Sequence, residues 1–249
     1  MPLTFIAAAV LMQTTTPQPT REPRTQIPVY TTVHGEMFPE SWRKAPISAE
    51  ATALDSKESA RSLKVVLRSM EKYPAGVLKQ NLKEVYVSKR IAFYGLVYGG
   101  TNSLDVVYVS NDGEVKGFTN EYIQGAFHHE FSSILLRNFG ANLDMKAWRA
   151  SQPSGFKYRG DGTSSLREGT ASTRYEAEYH KQGFLAQYAT SSLEEDFNMM
   201  AEGMLTGNPD FWKAIDAHPL LKSKMAAVAK FYAKLDPVFT EAYFRKLTP

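Results

Sequence analysis

Residues 127–136 read FHHEFSSILL, and they decide the fold because two histidines and a glutamate stand together inside an otherwise apolar helical run. Ile123, Ala126, Phe127, Phe131, Ile134 and Leu135 recur at the spacing of one helix face, and Gly140 is placed to stop the helix. Such a helix belongs inside a packed body. Three ionisable groups buried there cost free energy unless they are paired or bind something. Upstream, Asp55 or Ser56 can cap a helix to about Tyr73, with Ala60, Leu63, Val66, Leu67 and Met70 in register and Pro74 ending the run. Between these helices, residues 85–87 and 91–98 are rich in Val, Ile, Phe and Tyr. The turn GGTNS at 99–103 leads into 104–110, and Asn111, Asp112 and Gly113 turn the chain again. This predicts a small sheet of two or three strands. Downstream, helices are expected over about 175–188, 193–205, 209–217 and 220–235, with Pro237 opening a short last one. A short sheet followed by many helices is an α+β arrangement.

Composition bounds the rest. The chain has 249 residues, 43% hydrophobic and 12% aromatic, enough for one packed domain, expected over 29–249. Lys plus Arg is 29 against 26 Asp plus Glu, a net charge of +3, so no basic stripe points to nucleic acid. Lys222, Lys224, Lys230, Lys234, Arg245 and Lys246 are interleaved with apolar residues and read as a solvated helix face. The absence of cysteine excludes disulfides, thiolate zinc sites and thiol nucleophiles. Residues 3–12 (LTFIAAAVLM) are about half the ~20 residues of a spanning helix, so no transmembrane helix is expected. Residues 1–12 read instead as the remnant of a signal peptide without a basic start, which implies export to the periplasm or cell surface. Residues 13–28 (QTTTPQPTREPRTQIP), with four prolines, read as a disordered linker. Residues 151–174 carry scarcely any apolar periodicity and are a candidate lid.

The HExxH pattern places two histidines one helical turn apart, so that both reach one zinc ion while the intervening glutamate polarises the bound water. Here His129 and Glu130 fit and Ser133 stands where the second histidine would be. Further on, residues 183–202 read GFLAQYATSSLEEDFNMMAE, with Tyr188 seven residues before Glu195. Bland readings exist for each residue. His129 and Glu130 could be a buried hydrogen-bonded pair, Tyr188 a packed aromatic, and Glu195, three residues after Ser192, part of a capping box.

Together, HHEF, the polar stretch after it, GF, YA and EDF resemble a family of zinc-binding metallopeptidases common among exported bacterial lipoproteins. They are distantly similar to the catalytic domain of anthrax lethal factor. The resemblance runs from about Tyr73 to the C-terminus. It implies a zincin-like body of the gluzincin type around an active-site helix, zinc as cofactor and a peptide or protein as substrate. By the same resemblance His129 is the first zinc ligand, Glu130 the general base, Glu195 the last ligand and Tyr188 the hydroxyl at the oxyanion. A strand among residues 85–110 would receive the substrate as an added strand. The implied activity is peptide-bond hydrolysis by metal-activated water. Ser133 departs from the pattern, because a hydroxyl is a poor zinc ligand beside imidazole or carboxylate. Weak zinc binding is therefore expected unless His128 or His180 supplies the missing donor. His128 points roughly 100° away from His129 around the helix, so His180 is preferred. The alternative is a metal-free descendant that binds peptide, glycan or protein without turnover.

Overall fold

The computed structural model describes residues 18–248. The expected signal-peptide remnant at 1–12 lies outside them, as does the start of the expected linker. From Thr20 onward that linker is built into the body. Thr20–Arg21 (β1) pairs antiparallel with Pro28–Tyr30 (β2), and Arg24 donates to the carbonyls of Met70 and Tyr73. Glu22 is buried and accepts hydrogen bonds from the Thr25 backbone and hydroxyl.

The chain continues through a short helix at Glu40–Arg43 (α1), a strand at Glu50–Thr52 (β3) and two helices, Ser56–Glu71 (α2) and Ala75–Asn81 (α3). The strands Glu84–Ser88 (β4), Arg90–Phe93 (β5), Leu96–Tyr98 (β6), Gly100–Asn102 (β7) and Val106–Ser110 (β8) follow. Asn120–Phe139 (α4) is the central helix. After it come Met145–Ala150 (α5), Gly162–Glu168 (α6), Ala177–His180 (α7), Leu193–Thr206 (α8), Pro209–Ala217 (α9), Pro219–Leu235 (α10) and Glu241–Arg245 (α11).

The fold is α+β, but the strands form two sheets rather than one of two or three strands. One has five strands in the order β1-β2-β4-β8-β7, and the other is the antiparallel β3-β5-β6. The run 91–98 turns at Tyr94 and Gly95, both at positive φ, and becomes the hairpin β5–β6. In the larger sheet β2, β4 and β8 are parallel, while β7 closes one side antiparallel to β8 and, among the described residues, has no strand on its other side.

Alternation along β4 and β8 divides the core. Val85, Val87, Val107 and Val109 face α2 and α4, where Val66, Met70, Phe127, Phe131 and Ile134 are buried. Tyr86 and Tyr108 face the other way and stack with each other, their ring centroids 5.5 Å apart. Helix α4 is buried on more than one side, packing on α2, β7 and β8 as well as on α8. That accounts for buried His128, Ser132 and Ser133 beside its apolar stripe.

Two helical expectations are corrected. Residues 175–188 form only the four-residue α7, because the chain reverses at Gly183, whose φ of 82° a side chain rarely tolerates. Lys224 is not on a solvated face. It is fully buried, its ammonium 2.6 Å from buried Asp196 and 4.1 Å from the centroid of the Phe184 ring. Among the described residues no helix is long and apolar enough to cross a membrane.

Candidate metal centre

Three pieces of chain build the site. Helix α4, capped by Thr119, projects His129 and Glu130 and, one turn on, Ser133. A 3-10 turn at Tyr188–Thr190 presents Tyr188. Helix α8 begins at its cap Ser192, whose hydroxyl accepts from the Glu195 amide at 3.1 Å. The Glu195 carboxylate does not close the capping box. It meets His129 Nε2 at 2.9 Å.

A carboxylate not anticipated from the sequence completes the arrangement. Glu202, two turns beyond Glu195 on α8, lies 3.3 Å from His129 Nδ1. The imidazole is thus held between two carboxylates from one helix. Burial alone would lower the His129 pKa. The hydrogen bonds with Glu195 and Glu202 and the nearby charges outweigh it and hold the pKa well above the usual value. Tyr188 stacks on His129 with centroids 6.3 Å apart, and burial beside Glu195 and Glu130 pushes its hydroxyl pKa up.

Glu130 faces the opposite wall. Burial raises its pKa to about 7, against the lowering effects of His129 and of the hydrogen bond from Asn102 Nδ2 at 2.8 Å. Asn102 is oriented in turn by Arg137, which donates to its Oδ1 and, at 2.8 Å, to the Ser103 carbonyl. Ser133 Oγ accepts from Asn198 Nδ2 at 2.6 Å, while the buried Asn198 Oδ1 has no partner among the described residues. His129, Glu130, Ser133, Asn102, Tyr188, Glu195 and Glu202 line a cleft of about 470 Å³ that runs between β7 and α6.

Neither histidine considered as a substitute ligand joins them. His128 is fully buried with Nδ1 3.0 Å from the Tyr73 hydroxyl, and burial pushes its pKa well down. His180 lies 3.0 Å from the Leu185 carbonyl and packs against His218. Adjacent positions on a helix do not share a face, which removes His128. The early end of α7 removes His180.

A catalytic zinc takes three protein donors and a water. His129 Nε2 and Glu195 could turn to one ion. Glu202 sits on the far nitrogen of the ring, suited to fixing the imidazole from outside rather than to binding the same ion. The Ser133 hydroxyl is engaged by Asn198. Among the described residues no group of three or more His, Asp or Glu could hold a metal ion. The donors present therefore do not fit a catalytic zinc.

Spacing alone could have flagged Glu202, since seven residues are nearly two helical turns. Asn102 becomes visible only once β7 is known to lie beside α4, and Asn198 only once α8 is packed on it.

The family described as "putative zinc-binding metallo-peptidase" matches residues 70–247. A crystal structure described as a putative zinc-binding metallo-peptidase from Bacteroides caccae superimposes with a TM-score of 0.57 at 18% identity. The match covers 90% of this chain and 85% of that one, a likeness of fold. No curated protein matches the chain. With the match spanning most of its length and the His129, Glu130 and Glu195 cluster inside it, the chain belongs to this family of zinc-binding metallopeptidase-like proteins.

Proposed function

We propose that this chain binds an extended peptide along β7 and holds zinc only weakly, without hydrolysing the peptide. The observation that carries this is the free side of β7 forming one wall of a cleft that has Ser133, rather than a histidine, one turn after His129 on its floor. Ser110 N bonds to the Gly99 carbonyl and Ser103 N to the Val106 carbonyl. Gly99, Thr101 and Ser103 thus face β8, and the backbone groups of Gly100 and Asn102 are free toward the cleft they line. A peptide strand added there satisfies those groups.

The test is selection from a random displayed peptide library, followed by N-methylation of a selected peptide one residue at a time. Strand addition predicts loss of binding at alternate positions. Uniform tolerance of N-methylation contradicts it.

Hydrolysis is the second reading, favoured by Glu130 with a pKa of about 7 and by Tyr188 beside Glu195. It predicts cleavage of the selected peptide that is lost in Glu130→Gln. Export to the periplasm or cell surface is part of the proposal, supported by residues 3–12. Fractionation of the native host tests it.

A further inference from the structure

The polar stretch 151–174 is not structureless, and its middle crosses the cleft. Gly160 N donates to the Ser191 carbonyl at 2.8 Å and Tyr188 N to the Ser172 carbonyl at 2.9 Å. Residues 161–171 therefore leave and rejoin the body beside the turn that carries Tyr188. Asp161 caps α6 by accepting from Ser164 N at 2.7 Å. The segment then reaches the opposite wall through side chains. The Thr163 hydroxyl is 3.1 Å from the Tyr98 hydroxyl, and the Arg167 guanidinium lies 5.9 Å from the centroid of the half-exposed Tyr94 ring.

Under this bridge, Gly162 sits directly on the site. A methyl group in place of its hydrogen would come within 2.5 Å of the Tyr188 hydroxyl and closer still to Glu195 Oε1. Tyr98 is two residues ahead of β7, so the bridge crosses the line along which a strand added to β7 would continue.

We infer that residues 161–171 are a latched flap, held shut by the Tyr98–Thr163 bridge and the Tyr94–Arg167 contact, which must lift for a peptide to lie along β7. The inference rests on the reading of the cleft as the peptide site. One neutral hydrogen bond and one exposed cation–π contact are weak ties, so opening is an accessible excursion. Gly162 lets the closed flap settle onto Glu195 and Tyr188. In that state the flap backbone at Gly162 lies directly against Glu195 and Tyr188.

The chain has no cysteine, so Ser133→Cys puts a unique thiol on the cleft floor. Its reaction rate with a chromogenic disulfide, with chelator present throughout, reads access beneath the flap. Adding Thr163→Val to that background removes the bridge and should raise the rate about fivefold, the share of one neutral hydrogen bond. Gly162→Val, which cannot seat on Glu195, should raise it at least as much. A second readout leaves Ser133 in place: tryptic cleavage at Arg159 and Arg167 should quicken in both variants. Unchanged thiol and tryptic rates in both variants overturn the flap. So does cleavage that spreads equally over α2 and α10, because that reports global unfolding. Neither readout uses metal or turnover, so the flap and the peptide-binding reading can fail separately.

Discussion

Ser133 stands one turn after His129, with its hydroxyl tied to Asn198, and on the proposed reading it is the position at which a third zinc ligand is missing. The chain should accordingly take up well under one equivalent of zinc after dialysis against buffered micromolar metal, as read by elemental analysis. His129→Ala should abolish what remains. A tightly held equivalent would require a donor the cleft does not offer. Glu130 makes a second prediction at this scale. Burial lifts its pKa from 4.5 to about 7, so the folded chain holds that proton more tightly than the unfolded one. The resulting stability is fully present below about pH 4.5 and lost as pH rises through about 7. Glutamine is neutral throughout. Glu130→Gln should therefore gain on the parent across that window, by at most roughly 3 kcal/mol. Urea midpoints at pH 4.5 and 7.5 measure the gain, and an equal difference at both pH values would contradict a buried carboxyl.

At the scale of elements, α8 carries the site on one face and its anchor on another. Glu195, Asn198 and Glu202 face α4, while Asp196 turns into the core to meet Lys224 of α10 and the Tyr158 hydroxyl at 2.8 Å. Both charges of that pair are fully buried. Lys224→Met alone should cost about 3–5 kcal/mol, whereas Asp196→Leu with Lys224→Met should be much closer to neutral. Denaturant melts of the single and double variants decide this, and an equally severe loss in both would mean that the pair is not the anchor. Much of this architecture was legible in the sequence. Helices α2, α4, α8, α9 and α10 follow from apolar spacing and caps, and Asp55 does cap α2. Lys224 was not legible, because one lysine among several on a helix carries no mark of burial; its partner lies 28 residues away. Helix α6 is too short for periodicity, although Asp161 and Gly169, its cap and its left-handed terminus, stand in the sequence DGTSSLREG. The hairpin β5–β6 was hidden because Tyr94 takes a positive φ that residue type does not announce.

Over the whole molecule, the site exists only because α4, the Tyr188 turn and α8 converge after more than sixty residues of intervening chain, as in the contact between His129 and Glu195. The motif halves were readable as sequence. Their convergence, and the part played by Asn102 and Asn198, depend on packing that no local pattern encodes. The proposed function supposes a zinc-site frame in which His129 and Glu195 remain and Ser133 replaces one ligand. Asn198, whose Nδ2 donates to the Ser133 hydroxyl, is the side chain that an imidazole introduced at position 133 would meet. The most direct measurement is a competition titration of zinc against a chromophoric chelator for the parent, Ser133→His, and Ser133→His combined with Glu195→Ala. The account predicts that Ser133→His tightens zinc by at least ~100-fold and that removing the Glu195 carboxylate reverses most of the gain. If a folded Ser133→His binds zinc no better than the parent, then His129, position 133 and Glu195 do not converge on one ion, and the account is wrong.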